Sequence, residues 1–424
     1  MNSRTQYHIL AFLILLALVG GASSQPIALD QTFGAGGTAV INSPGFTSSW
    51  LHRVYVQPSG RIVGVGHHSR PGTSGTMSGF GLIGMAANGS LDASFAGKGR
   101  YTDWSAAASN SMVDSAMLPD GRVLVLSSFS PASSINRAVL TRFTANGALD
   151  TAFNADLNIH PDQTYPLKMA LAANGGKIYA LVGRYGSQDH SLVRLNSDGS
   201  RDTAYGDNGI RVLGLSRLPN RYILDLKVLS NGKLLFLGQS FIPDNFEYDF
   251  FVARFDENGF FDRSFGPQGI VRLPGRERLQ GNVVLEQPDG KLIIAGCEVP
   301  IGSELMVMRL TNRGKLDLSF GPGGIVTRQF GFHTHCASAA ALRSDGSIVV
   351  AGTAGWKVFP SPPTKMLVAS FNSDGTFIGH ALTDISGGTN PYANSLFLQP
   401  DGKVLVAGSV QTPSGQFAVV RYNP

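Results

Sequence analysis

The chain has 424 residues, 43% hydrophobic and 15% charged, with 34 Lys and Arg against 29 Asp and Glu, and its mean hydropathy is near zero at +0.05. This composition excludes a disordered or low-complexity chain. No run of five basic residues occurs, so the pI of about 9.2 gives no nucleic-acid footprint, and the 52 Gly residues suit many short strands joined by tight turns rather than helices.

The N-terminus opens with Arg4, an apolar run from Ile9 to Val19, and the small residues Gly20-Gly21-Ala22-Ser23-Ser24. The run is shorter than the ~20 apolar residues of a membrane span. Residues 1–24 therefore read as a signal peptide and 25–424 as one domain. No second run of that kind follows. The expectation is an exported monomer, periplasmic or extracellular, with no membrane span.

From there a turn followed by an apolar strand recurs seven times, as in Pro58-Ser59-Gly60-Arg61, Pro288-Asp289-Gly290-Lys291 and Pro400-Asp401-Gly402-Lys403. The second-turn glycines fall at 60, 121, 176, 232, 290, 346 and 402. Asp-Gly and Asn-Gly supply the positive φ of a type I′ turn, whose twist matches paired strands, so each unit opens with a hairpin. A third strand ends in a second signature, such as Arg254-Phe255 leading to Asp262-Arg263-Ser264-Phe265-Gly266, and a short strand like Gly269-Ile270-Val271-Arg272 closes the unit. Four antiparallel strands per repeat with no helical period describe a propeller blade.

The last repeat stops at Arg421-Tyr422-Asn423-Pro424, without the Asp that lies eight residues beyond the Arg in four other repeats. Joining Pro424 to Pro26 restores that spacing from Arg421 to Asp30, so the segment from Gly37 to Ile41 should supply the missing outer strand. The expected fold is all-β: a seven-bladed β-propeller of four-stranded antiparallel blades, its ring closed by the N-terminal strand completing the C-terminal blade.

The paired signatures, Pro-Asp-Gly-Lys and then Asn-Gly-x-Leu-Asp-x-Ser-Phe-Gly, resemble the delta-60 repeat family of bacterial exported proteins. The resemblance covers essentially all of residues 25–424 and implies a β-propeller. It implies no activity and no catalytic residues. The sixth repeat departs from the pattern, with Ser370 for the Arg and Phe377-Ile378-Gly379-His380 for the Leu-Asp segment.

The repeated Arg and Asp read first as an ion pair bracing the loop between third and fourth strands; both are missing from the sixth repeat, and the first has Asp92 with Gly84 at the Arg position. A Ca²⁺ site at each loop is the alternative, and no Asp-x-Asp-x-Asp-Gly loop supports it. Gly79-Phe80-Gly81-Leu82-Ile83-Gly84 matches a dinucleotide fingerprint by letter but lies on a predicted strand, where no helix follows to hold a phosphate. Asn88-Gly89-Ser90 fits a glycosylation sequon and is better explained as a repeat turn.

Strand direction places the loops between second and third strands on the same face as the loops between blades. That face should collect His52, His67, His68, His333 and His335, with Cys297 and Cys336. His333 and His335 are candidate zinc or copper ligands, the other reading being ordinary surface histidines. The two cysteines stand on neighbouring blades, as a disulfide or as two buried thiols. The loops 67–78, 241–248 and 356–364 differ between blades and carry Phe246, Tyr248, Trp356 and Phe359 as further ligand-binding candidates.

Two functions are compatible with these residues. The first is an exported, non-enzymatic binding or scaffold protein that takes a protein, peptide or carbohydrate on the loop-rich face, without a cofactor. The second is a hydrolase or lyase, metal-assisted or not, at the mouth of the central channel. No Gly-x-Ser-x-Gly, His-Glu-x-x-His or paired-carboxylate pattern supports the second.

Overall fold

The computed structural model describes residues 27–42, 46–72, 75–103, 108–131, 136–159, 164–173, 175–187, 189–215, 221–242, 247–272, 279–298, 304–355, 364–412 and 416–424. The signal-peptide reading of residues 1–24 lies outside them. No helix among the described residues is long and apolar enough to cross a membrane.

Strand β1 (Thr38–Asn42) is followed by the first blade, β2 (Ser48–Val56), β3 (Ile62–Gly72), β4 (Gly75–Met85) and β5 (Arg100–Asp103). The second blade holds β6 (Ala108–Met117), β7 (Val123–Pro131) and β8 (Arg137–Phe143), and the third β9 (Thr164–Leu171), β10 (Lys177–Arg184), β11 (His190–Asn196) and β12 (Ile210–Val212). The fourth is β13 (Arg221–Val228), β14 (Leu234–Ile242), β15 (Glu247–Phe255) and β16 (Ile270–Arg272), and the fifth β17 (Leu279–Glu286), β18 (Leu292–Glu298), β19 (Leu305–Leu310) and β20 (Ile325–Arg328). The sixth is β21 (Thr334–Leu342), β22 (Ile348–Gly355), β23 (Lys365–Phe371) and β24 (Phe377–Thr383); the seventh is β25 (Thr389–Leu398), β26 (Val404–Gln411) and β27 (Gln416–Tyr422). The outer edge of β27 pairs with β1, Thr38 opposite Val420 and Asn42 opposite Gln416. The ring is therefore closed by the two ends of the domain, as the split repeat predicts. The second blade shows three strands among the described residues.

Seven clusters of buried apolar side chains hold the ring together, each between two neighbouring blades. The Phe of the second signature belongs to them: Phe33, Phe95, Phe265 and Phe320 are fully buried, each contributing about 1.5–3 kcal/mol relative to an exposed ring. The turn glycine of the next blade lies against that ring. At Gly147, with φ +78°, an added Cβ would come within 2.5 Å of Phe95, so the Asn-Gly turn and the Phe recur together because they touch across blades.

The repeated Arg is a latch on the same face. Arg142 Nε donates to Asp150 at 2.7 Å and its Nη1 reaches the Ser197 carbonyl of the next blade at 2.7 Å. Arg194, Arg254, Arg309 and Arg421 repeat the arrangement onto Asp202, Asp262, Asp317 and Asp30. Lys177, Lys233, Lys291 and Lys403, just beyond the hairpin turns, add a second cation to four of these carboxylates. In the first blade, Arg61 replaces the missing strand Arg and donates to Asp92 at 2.7 Å. The repeated Asp is thus an ion-pair brace. The sixth blade, with Ser347, Ser370 and Ile378 in place of the charged residues, turns directly from β23 into the seven-residue β24.

Two details differ from the sequence reading. The third turn places its positive φ at Gly175, whose N–H donates to Ala172, not at Gly176; one extra residue precedes β10. Residues 67–72 and 75–78 are also not a loop: β3 and β4 stay paired out to Gly72 and Gly75. A hairpin extends as long as its cross-strand partners pack, and His67 opposite Phe80 continues that packing.

Candidate functional site

Every innermost strand carries a β-bulge at the same level. A bulge leaves one residue unpaired and re-aims its neighbours. The unpaired residues include His52, Asn282, Ser338 and Asn394, and the last three donate to the carbonyls of Ala337, Ala393 and Leu51 on the next blade. The Gly that ends each Ala-Gly strand makes room. At Gly408 an added Cβ would lie 1.7 Å from the Tyr392 carbonyl, and at Gly296 1.8 Å from that of Gln280.

Just beyond the bulge, seven residues before each turn glycine, four consecutive blades place Arg53, Asp114, Lys168 and Asp225 around a central cavity of about 500 Å³. The remaining three blades place Val283, Ala339 and Ser395 there. Asp114 accepts from Arg53 at 3.2 Å and from the Met169 N–H of the third blade at 3.1 Å. Burial alone would raise the Asp114 carboxyl, but Arg53, Lys168 and these backbone donors bring it below the ordinary carboxylate range. Asp225 accepts the Val284 N–H of the fifth blade at 3.1 Å, and Ser395 the Val54 N–H at 3.1 Å. The carboxylates are therefore engaged in holding blades together, with the cations lining the cavity beside them.

At the other side of the bulge, ten residues before the turn glycine, the innermost strands begin with Trp50, Ser111, Tyr165, Tyr222, Gln280, Cys336 and Tyr392. The strands run from the loop-rich face toward the turns, so these seven residues surround the loop-side mouth of the channel. Tyr222 is 59% and Tyr392 48% exposed. Cys336 is joined to Cys297 in a disulfide with Cα atoms 4.6 Å apart, linking the fifth and sixth blades.

The structure gathers His52 and His67 around Trp50, whereas His68 turns to the other side of β3 and packs toward Phe417 of the seventh blade. Trp50 Nε1 donates to His52 Nε2 at 2.7 Å, and the Trp50 indole stacks on His67 with centroids 4.3 Å apart. His68 pairs with Ser49 Oγ at 3.0 Å and stacks on Phe46. Burial lowers His52, His67 and His68 each to about 4, so all three are neutral near pH 7. His333 is exposed and lies just before β21, whereas His335 is fully buried and accepts the Phe330 N–H at 3.1 Å. No group of three His, Cys, Asp or Glu that could hold a metal occurs among the described residues. Tyr248 lies in β15, its backbone opposite Phe241, and Phe246, Trp356 and Phe359 lie outside the described residues.

The mouth aromatics and the charged level were not singled out from sequence. Their signal was present as fixed offsets, ten and seven residues before the turn glycine, once the third turn is counted from Gly175.

Fold and site together define a closed seven-bladed β-propeller with an axial cavity of about 500 Å³ and aromatic residues near the loop-side starts of four innermost strands. Residues 118–153, 176–205, 229–265, 287–320 and 399–424 match the family model described as "Domain of unknown function (DUF5122) beta-propeller". These matches fall in five of the repeats and are consistent with a repeat β-propeller family of delta-60 type, whose function is unknown. No curated protein matches it. Similar solved structures include a protein of unknown function from Dyadobacter fermentans DSM 18053, 13% identical over 91% of this chain and 98% of that one, with a TM-score of 0.45. A hypothetical protein from Leishmania major is 13% identical over 66% and 92% of the two chains, with a TM-score of 0.32. Prolyl oligopeptidase B from Galerina marginata is 10% identical over 86% of this chain, which spans 49% of that enzyme, with a TM-score of 0.43.

Proposed function

We propose that this is an exported, non-enzymatic binding or scaffold protein that engages its partner through the loop-rich face of the ring. The observation that supports this reading is the difference between the two faces. The turn face is occupied by the repeated latch, whose Arg, Lys and Asp side chains are bonded to one another and to the next blade. The loop face instead presents half-exposed aromatic rings and neutral imidazoles, supported from below by the rigid bulged strands. Variable groups on a fixed scaffold are where recognition resides.

Residues 25–424, immobilised, test the assignment of the face. Partner retained from the extracytoplasmic fraction should be lost with His52→Ala/His67→Ala and kept with Lys315→Ala/Leu318→Ala on the turn face; the reverse pattern overturns the reading. Export is tested by joining residues 1–25 to an alkaline phosphatase that folds only outside the cytoplasm, where an inactive fusion counts against it. Stoichiometric transition metal in the purified protein would favour metal-assisted chemistry at the channel mouth instead.

A further inference from the structure

We propose that the loop-side mouth of the channel binds a neutral carbohydrate chain end, with Trp50, Tyr165, Tyr222 and Tyr392 as its stacking surfaces. This rests on the reading of the loop face as the binding face and names its ligand.

The four residues occupy one structural position, the tenth before the turn glycine, at the start of the innermost strands of blades one, three, four and seven. In a ring of seven, blades seven and one lie across the axis from blades three and four. The aromatics therefore form two pairs on opposite sides of a round opening. Ser111 lies between the pairs on one side; Gln280 and the Cys297–Cys336 bridge lie between them on the other. Trp50 lies against His67, and Tyr165 lies over Gly183 beside Tyr185, so these rings rest on their own blades and suit a flat saturated ring, whose C–H faces meet electron-rich π faces. The hydroxyls at its rim need donors and acceptors, which Ser111, Gln280 and the Tyr hydroxyls can supply.

Charge and shape both favour a sugar over a peptide. None of the seven mouth residues is charged, and the imidazoles of His52 and His67 beside Trp50 are held neutral by burial. Within the innermost strands, the charged side chains that line the channel stand at the deeper level of Arg53, Asp114, Lys168 and Asp225. A closed opening admits the end of a chain, whereas an extended peptide is read along a groove or a free strand edge. The Trp50 indole is already oriented, its N–H taken by His52 and one face held by His67, which lowers the cost of ordering it on binding.

Trp50 is one of three tryptophans in the sequence, so Trp104→Phe/Trp356→Phe leaves it as the only indole reporter. This protein is titrated with cellohexaose, xylohexaose, laminarihexaose and chitohexaose, following Trp50 fluorescence. Calorimetry on the unaltered chain repeats the measurement should the double variant fail to fold. At least one sugar should bind saturably, and Tyr222→Ala and Tyr392→Ala should each weaken it about tenfold or more, as expected for an aromatic anchor, with thermal melts unchanged. Leu318→Ala on the turn face should leave it intact. Failure of all four sugars to bind, or binding that survives both Tyr substitutions, overturns the proposal. A proline-rich peptide that binds in their place and is lost with the same two variants removes the carbohydrate assignment but leaves the loop-face reading standing. Binding lost with Leu318→Ala and kept in the Tyr variants removes both.

Discussion

Arg421 donates to Asp30 at 2.8 Å across 391 residues of sequence, which makes the last strand of the chain and its first described segment parts of one latch. The hydroxyl of Thr32, then Lys403 and Arg421, hold the Asp30 carboxyl well below the usual range against the opposing effect of burial. The pair is almost fully buried. Asp30→Asn leaves Arg421 and Lys403 without their counter-charge and should cost about 2–4 kcal/mol, read from the urea midpoint. Deleting residues 26–42 removes the outer strand of the seventh blade as well and should melt the whole ring in one lowered transition. A merely trimmed tail, with the transition unmoved, would contradict ring closure by these residues.

The latch is missing only between the sixth and seventh blades among the described interfaces. There Thr383 Oγ1 and the Tyr422 hydroxyl share a buried contact of 2.8 Å instead. Hydrogen exchange should therefore find β24, the outer strand of the unlatched blade, less protected at its turn-face end than the outer strands of the latched blades. Tyr422→Phe should cost about 1 kcal/mol and raise exchange at that seam alone. Uniform exchange across all blades would speak against a weak seam.

Cys297 and Cys336 close a loop with a sequence separation of 39 residues between neighbouring blades. Chain-entropy arguments put the stabilisation at about 2–4 kcal/mol for a loop of this size. The urea midpoint should fall on adding reductant to the native protein, and Cys297→Ser/Cys336→Ser should show the lower midpoint with or without reductant. Equal midpoints for all four samples would mean the bridge is not formed in solution.

Acid should weaken the loop face before the latch. His67 and His68 are buried and lowered to about 4, whereas unfolded imidazoles take up protons near 6.5. Between those values the unfolded chain binds more protons, so stability falls as the pH drops from 6.5 to 4 and this contribution levels off below. At lower pH the carboxylates follow: burial opposes the charge on Asp317, but hydrogen bonds from Ser319 and Lys291 and the Arg309 guanidinium bring it down to about 2. Its stabilising contribution, complete above the ordinary carboxylate range, is lost as the pH falls toward 2. Urea unfolding from pH 8 to 4 should be shallower in slope for His67→Phe, which keeps the stacking on Trp50; an unchanged slope would assign the loss elsewhere.

Gly408→Ala should destabilise by about 2 kcal/mol, because the new Cβ meets the Tyr392 carbonyl at 1.7 Å and only a backbone shift relieves it. That shift moves the mouth of the seventh blade. Circular dichroism melts measure the cost, and an unaltered melting temperature would show that the bulge relaxes freely.

The blade count, the ring closure and the turn-face latch were legible in the sequence because each depends on local chemistry repeated at a fixed spacing. Asn-Gly and Asp-Gly set the hairpin turns, and an Arg eight residues before an Asp meets it around the same turn in the second to fifth blades and, across the chain ends, in the seventh. Even the closure followed from counting, since Asp30 is the residue that Arg421 lacks. The candidate site was read less well. Sequence variation between blades suggests a loop at His67 and His68, yet they sit on an extended, buried strand that packs against Trp50 and Phe46. Trp50, Tyr165, Tyr222 and Tyr392 each read as an ordinary strand aromatic within their own repeats. They become one site only when the bulges re-aim the innermost strands and the ring brings blades far apart in sequence around a common axis. Local spacing determined the scaffold; convergence at the axis is a property of the closed ring.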